Sequence, residues 1–335
     1  MKPTTLSVHL NHFLSEYLAG QRNLGPNTIK AYRDVFVLLL RFCRDEKGIA
    51  IERLQLEQID THMVNSFLDH LSNKRHCSIR TVNQRLAVVH AFFRYLQVEE
   101  PTLLLQSQRI LSIPLRRFVR HDVSYLSKDH LAALLAQPDL SRADGRRHAV
   151  LLSVLYDTAS RVQELIDLTV GDVRLDTPAQ VRILGKGRKV RTVPLMENTS
   201  ELLRQYINEH HLPLPENYDS PLFRNRHGNP LTRVGVNYIL QKYVQKVATT
   251  DPQFKQKVTP HTLRHTKAMH LVQGGISLDI IRDFLGHADI KTTELYARAN
   301  IEMKRAAIEK VSPAPIPNIP TWKENKSLLH WLQQL

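Results

Sequence analysis

Cysteine is scarce in this chain of 335 residues, which contains Cys43 and Cys77 and no others. Both lie in helix-like segments, so the expectation is buried free thiols rather than a disulfide framework or a cysteine metal site. The sequence also lacks any apolar run of about eighteen residues, so no membrane span is expected. Its mixed, polar N-terminus is unlike a signal peptide, and we expect a cytoplasmic protein.

Two kinds of phosphoryl-transfer machinery are missing as well. Two-metal nucleases hold Mg²⁺ between clustered carboxylates, and we find no acidic cluster with that spacing. Asp157, Glu164 and Asp167 lie near Arg161 along the sequence and are interpreted as its ion-pair partners or as helix-surface charges. No glycine-rich loop of the Walker type occurs. We therefore expect no cofactor, neither a metal nor a nucleotide.

Positive charge is abundant. Lysine and arginine number 46 against 32 acidic residues, which gives a net charge of +14 and a pI near 9.8. Such a balance favours a polyanion partner, most commonly double-stranded DNA. From charge alone, a merely basic soluble protein or one bound to an acidic membrane remains open.

The N-terminal region has apolar residues at helical spacing. The pattern predicts four amphipathic helices that pack as a small bundle, at about 5–21, 27–42, 61–74 and 78–98. We place an N-terminal domain at 1–105. The arginine-rich segment 106–124, which contains Pro114, has no sustained period, and we expect a basic linker there that could follow a phosphate backbone.

A second domain is placed at 125–310. Ser127 is a good N-cap, and a long helix is expected from about 147 to 168. The period then changes, and β-branched residues around Gly185-Lys186-Gly187-Arg188 predict a hairpin. Further helices are expected at about 199–209, 229–247, 262–273, 277–285 and 292–310. The proline-punctuated tail, 311–335, ends in an amphipathic segment expected to form a helix.

Three local patterns in the second domain supply groups for phosphodiester chemistry. They are TASRVQEL at 158–165, HTLRH at 261–265, and LGH at 285–287 followed by TTELY at 292–296. Cleaving a phosphodiester requires stabilised charge, an activated nucleophile and an acid for the leaving oxygen. Cations for phosphate, histidines for proton transfer and a tyrosine are all present: Arg161, Lys186, Arg264, His261, His287 and Tyr296.

One histidine pair and one tyrosine have competing interpretations. His261 and His265 have the i,i+4 spacing of a metal-chelating pair, but Thr262 stands where a zinc motif has glutamate, and an arginine lies between them. A lone helical tyrosine such as Tyr296 is usually half-buried in a core. The two upstream patterns favour the nucleophile.

Together the three patterns resemble the tyrosine recombinases of the phage integrase family, nearest in layout to its simple Xer-like members. The match extends from about residue 6 to residue 298, and the spacings between Arg264, His287 and Tyr296 fit the family. One departure is Ala159, where the family usually has glycine. The resemblance implies a mainly α fold, with an N-terminal four-helix core-binding (SAM-like) domain and an α+β catalytic domain that contains a small antiparallel sheet.

The resemblance also implies a role for each phosphate-binding residue. Arg161 and Arg264 would clamp the non-bridging oxygens of the scissile phosphate, and His287 would hydrogen-bond it. Glu164 would orient these groups without reacting.

A second set of residues would handle the nucleophile and the protons. Tyr296 would form a 3′-phosphotyrosine, His261 would help to move the tyrosine proton, and Lys186 would protonate the departing 5′ oxygen. Lys189 and Arg188 lie in the same hairpin and remain alternatives to Lys186.

The function implied is a site-specific DNA recombinase or integrase that passes through a Holliday junction. It would act on two double-stranded DNA sites as a homo-tetramer, or as a hetero-tetramer with a second recombinase. The tail helix is expected to dock on a neighbouring protomer, and packing on its own domain is the alternative. The alternatives are a type IB topoisomerase-like relaxing enzyme and a catalytically inactive DNA-binding relative. Chromosome-dimer resolution, transposition of a mobile element and phage integration are left open.

Overall fold

The computed structural model describes residues 4–118, 123–185, 187, 189–212, 216–225, 227–254, 257–287, 289–299, 330 and 332–333. Lys186, Arg188 and nearly all of the predicted tail helix therefore lie outside the described residues. The chain divides into two compact units, one up to residue 121 and one from residue 122. No helix among the described residues is long and apolar enough to cross a membrane.

The first unit is helical, and each of the four predicted helices is present. The first of them changes to π-helical geometry over Phe13–Gln21, and at its end the Arg22 N–H bonds to the Tyr17 carbonyl, five residues back. Side-chain caps start three helices, at Thr4, Asp60 and Ser78. The α-helices of this unit are α1 (Thr5–His12), α2 (Pro26–Lys47), α3 (Thr61–Asn73), α4 (Ile79–Glu99) and α5 (Leu104–Leu111).

The helix α5 is a departure from the sequence analysis, which assigned residues 106–124 to a linker. Ile110 is fully buried in the core of the first unit, and the Gln106 side chain donates to the carbonyls of Leu56 and Ile59 at 2.9 Å. With eight residues, or about two turns, α5 is too short to show a clear helical period of apolar residues in the sequence. Beyond α5, the backbone N–H of Arg116 donates to the side-chain oxygen of Asn83 in α4 at 2.9 Å.

The second unit surrounds its own apolar core with helices and a small sheet. The predicted hairpin is confirmed, and the structure adds a short third strand, so that the antiparallel order is β1-β2-β3. Its elements are α6 (Lys128–Leu135), α7 (Ala143–Asp157), α8 (Val162–Ile166), β1 (Val173–Arg174), β2 (Gln180–Leu184), β3 (Val190–Pro194), α9 (Glu197–Glu209), α10 (Arg233–Thr250), α11 (Pro260–Gln273), α12 (Leu278–Leu285) and α13 (Lys291–Ala299).

The prediction of one long helix over 147–168 is wrong, because the chain leaves helical geometry between α7 and α8. Ala159 has a positive φ of 45°, in the left-handed region that L-residues avoid. The Glu164 carboxylate then accepts from the Arg161 N–H at 3.0 Å and caps the start of α8. The interruption is about one helical turn long, so the apolar residues on either side stay in phase and conceal it.

An arginine lies on the buried face of the hairpin. Arg191 of β3 pairs with Ile183 of β2, and directly opposed residues project to the same face of a sheet. Its guanidinium donates to the Glu164 carboxylate at 2.7 Å and to the Phe284 carbonyl at 3.0 Å. One side chain therefore connects β3 with α8 and with the end of α12.

We predict that Arg191→Met destabilises the second unit by about 3 kcal/mol, because it removes one partner of a buried ion pair and leaves Glu164 under-satisfied. The free energy of opening would be measured by hydrogen exchange, in a urea series, on peptides that cover α8 and α12.

The matched control is Arg182→Met on the neighbouring strand, where a half-exposed side chain pairs with Asp172. Exposed pairs contribute less than about 1 kcal/mol, so this variant should stay close to the wild type. Equal losses in the two variants would contradict the role assigned to Arg191.

Candidate active site

A cavity of about 270 Å³ lies where α8 and α11 approach the segment from the end of α12 into α13. The structure brings five of the six predicted residues to its wall. The sixth, Lys186, lies outside the described residues. The lining consists of Arg161, His261, Arg264, His265, His287, Asp289, Thr292, Leu295 and Tyr296.

Arg264 is almost completely buried in the wall of this cavity, with 1% of its surface exposed. Its guanidinium donates to the Ala159 carbonyl and to the Leu285 carbonyl, both at 2.6 Å. Burial, together with the charges of Arg161 and Arg191, lowers the pKa of Arg264 to about 10. It therefore remains a cation at neutral pH and holds α11 to the two segments that it contacts.

The strained backbone at Ala159 provides one of these carbonyls. Its left-handed conformation ends α7 and presents the Ala159 carbonyl to Arg264. Glycine adopts this conformation without strain, which gives a physical reason for the glycine that the family usually has here. The methyl group of Ala159 is fully buried in the small apolar cluster that also contains Tyr296.

Arg161 stands at the N-terminus of α8, with about a third of its side chain exposed at the cavity. Its guanidinium donates to Glu164 at 2.6 Å. Burial alone would raise the pKa of Glu164, but the hydrogen bonds from Arg191 and from Arg161 lower it below its ordinary value. Glu164 is thus an ionised carboxylate that holds Arg161 in place.

The LGH pattern forms a turn at the end of α12. Gly286 has a positive φ of 62°, and a Cβ atom there would lie 3.1 Å from the guanidinium of Arg191. The turn directs the Leu285 carbonyl to Arg264 and brings His287 to the cavity. Thr293 bonds to Nδ1 of His287 at 3.0 Å. Burial and the charge of Arg264 lower the pKa of His287 to about 4, so the ring is neutral.

Tyr296 lies in α13 with 2% of its surface exposed. Its hydroxyl is 2.7 Å from Nδ1 of His265, one turn along α11 from His261. The two histidine rings pack edge to face, with centroids 4.5 Å apart. Burial raises the pKa of Tyr296, and the charges of Arg264 and Arg161 oppose that rise.

Two residues of the site were missed by the sequence reasoning. His265 was considered there only as half of a metal-chelating pair. Arg191 was not considered, although the alternation of the hairpin contains a usable signal. Val181, Ile183 and Val193 are buried, and the pairing of β2 with β3 places Arg191 on the same face.

Comparisons with known proteins agree on the family. The model of the phage integrase family matches residues 124–303, and that of the phage integrase N-terminal SAM-like domain matches residues 10–100. A putative integrase/recombinase, y4rC of Sinorhizobium fredii, is 39% identical over 93% of each chain. The tyrosine recombinase XerD of Staphylococcus epidermidis is 31% identical over 91% of this chain and 99% of its own.

Solved structures share the fold. The XerH site-specific recombinase, bound to its difH substrate before cleavage, aligns with a TM-score of 0.64 at 22% identity, over 90% of this chain and 83% of its own. The Tn1549 transposon integrase, in complex with a circular intermediate DNA, aligns with a TM-score of 0.69 at 18% identity, over 90% and 99%. The mainly helical fold class implied by the resemblance is confirmed, and the chain belongs to the phage integrase family as a tyrosine site-specific recombinase.

Proposed function

We propose that this recombinase cleaves and rejoins double-stranded DNA through a 3′-phosphotyrosine on Tyr296, and that it exchanges strands through a Holliday junction. The observation that carries the proposal is the group of three guanidiniums around one carboxylate beside the tyrosine hydroxyl. That group has an excess of positive charge within a pocket, which suits the phosphate of a DNA strand.

The exposure and the hydrogen bonds of each cavity residue indicate the part it takes in binding the phosphate. Arg161 is partly exposed and Arg264 is anchored by two backbone carbonyls, so the two can contact non-bridging oxygens from fixed positions. His287, neutral and oriented by Thr293, can add a hydrogen bond. An arrangement fixed before the substrate arrives stabilises developing charge without a cost in reorganisation.

The partner and the domain roles belong to the same proposal. A net charge of +14 favours DNA, and the XerH and Tn1549 structures are complexes with DNA of those proteins. We propose residues 1–105 as the core-DNA-binding domain and 125–310 as the catalytic domain. The helix α5 shortens the proposed linker, which then begins near residue 112 rather than at 106.

Tyr296→Phe should bind DNA as the wild type does and form no covalent adduct, because only the attacking hydroxyl is removed. The measurement is trapping of the protein–DNA adduct on a nicked suicide substrate, with binding followed by fluorescence anisotropy. Tyr238→Phe, on the exposed face of α10, removes a hydroxyl from a tyrosine outside the cavity and should form the adduct normally. An adduct formed by the Tyr296 variant would show that the nucleophile is another residue.

Lys186 is proposed as the acid for the leaving 5′ oxygen, and the residue before it supports this. The Gly185 N–H bonds to the Lys189 carbonyl at 2.7 Å and closes the base of the hairpin turn. A Cβ atom at Gly185 would lie 3.6 Å from the Glu164 carboxylate. The base of the turn therefore borders the group that holds Arg161.

Lys186→Ala should slow cleavage of ordinary DNA by about 10²- to 10⁴-fold, the usual contribution of a general acid. Replacing the bridging 5′ oxygen with sulfur should restore the rate, because a thiolate leaves without protonation. The measurement is single-turnover cleavage of both substrates. Lys189→Ala, from the same hairpin, should cleave both normally. If sulfur rescues the Lys189 variant instead, the acid is Lys189.

We propose a tetramer on two DNA sites, held in part by the tail. The support is the apolar stripe Leu328, Trp331, Leu332 and Leu335 beyond a proline-rich tether. Leu332 is more than half exposed.

Deleting residues 321–335 should abolish the tetramer on paired sites and leave binding to one site intact. The measurement is mass photometry with one-site and two-site DNA. The double substitution Leu328→Asp/Trp331→Asp should act like the deletion, whereas Gln333→Asp/Gln334→Asp, which adds the same charge, should not. An unchanged tetramer after the deletion would refute the docking.

A further inference from the structure

The tyrosine hydroxyl is in contact with a histidine to which the family resemblance gave no role. Nδ1 of His265 lies 2.7 Å from the Tyr296 hydroxyl, whereas His261 packs against His265 edge to face. Resting on the proposed attack by Tyr296, we propose that His265 is the base that takes the tyrosine proton during cleavage and returns it during religation. His265, rather than His261 as the resemblance implies, would thus be the catalytic residue in contact with the reacting oxygen.

The position of His265 is fixed by its neighbour in sequence. Arg264 anchors α11 to the Ala159 and Leu285 carbonyls, so the next side chain of the helix is held as well. On the other side, Tyr296 is buried against an apolar cluster that includes Ala268, Met269 and Leu285. Bulk water has little access to the hydroxyl, so a base in direct contact is required to accept its proton.

The burial of His265 and the positive charges around it keep its imidazole neutral, so that it can accept a proton. Burial first, and then His261 and Arg264, lower its pKa to about 4, so the imidazole is neutral at neutral pH. Arg161, His287 and Asp289 face the same cavity from the other elements. A bound phosphate would place a negative charge in that cavity and raise the proton affinity of His265 as the reaction begins.

The proposed step balances. The oxygen of Tyr296 bonds to phosphorus and its proton passes to Nδ1 of His265. The bond from phosphorus to the 5′ oxygen breaks, and that oxygen takes a proton from the general acid proposed above. During religation a 5′ hydroxyl attacks, the bond from phosphorus to the tyrosine oxygen breaks, and His265 returns its proton to Tyr296.

The test is His265→Asn, whose side-chain oxygen accepts a hydrogen bond near the position of Nδ1 but cannot take up a proton. Single-turnover cleavage should slow by about 100-fold, with DNA affinity unchanged. The wild-type rate should be level near neutral pH and fall on the acid side. The variant's rate should instead rise about tenfold per pH unit, because it depends on spontaneous ionisation of the phenol. Imidazole added to His265→Ala should restore part of the rate.

The matched control is His270→Asn, on the same helix, because Nδ1 of His270 also bonds to a tyrosine hydroxyl, that of Tyr156, at 2.9 Å. It should cleave DNA at the wild-type rate with the wild-type pH profile. Equal losses in the two asparagine variants, or wild-type behaviour of His265→Asn, would overturn the inference. Neither result bears on the identity of the nucleophile, which the covalent adduct of Tyr296 tests separately.

If the His265 variants do not fold, the pH dependence of the wild-type cleavage rate still tests the inference. A cleavage rate that levels off near neutral pH supports a base in contact with the tyrosine. A rate that continues to rise about tenfold per pH unit into the alkaline range overturns it.

Discussion

The buried carboxylate of Glu164 is the interaction on which the geometry of the site depends. Arg161 and Arg191 donate to it at 2.6 and 2.7 Å, and the guanidinium of Arg264 lies 4.0 Å away. Without it, three cations would repel one another at short range in a poorly solvated place. With it, their repulsion is partly offset and the remaining positive charge faces the cavity. The same carboxylate starts α8, so the fold and the electrostatics share one group.

Arg264 extends this constraint to the rest of the pocket. A buried cation is costly unless its donors are satisfied, and here two backbone carbonyls satisfy them. Those carbonyls belong to the segment before α8 and to the end of α12, so both are held against α11. Ala159 and Gly286 both adopt the left-handed conformation, and the turns that they form present the two carbonyls that Arg264 binds.

Local patterns were sufficient to predict most helices, the hairpin, and five of the residues that line the cavity, all of them within the three motifs. They failed where a long-range contact decides the outcome. The break between α7 and α8 depends on a carbonyl presented to Arg264, which lies far along the chain. Arg191 is buried because the hairpin register turns it inward towards Glu164. The contact of His265 with Tyr296 requires α13 to pack on α11, which no local period specifies.

The burial of Tyr296 has two opposite effects on the proposed reaction. It raises the pKa of the phenol, which makes spontaneous attack slower and requires a base in contact. It also keeps water from the bond between phosphorus and the tyrosine oxygen, and strand exchange needs that protection because the covalent intermediate must wait for a DNA hydroxyl. A nucleophile exposed to solvent would attack more readily and lose its intermediate to hydrolysis. In the proposed reaction, the burial of Tyr296 therefore favours religation over hydrolysis.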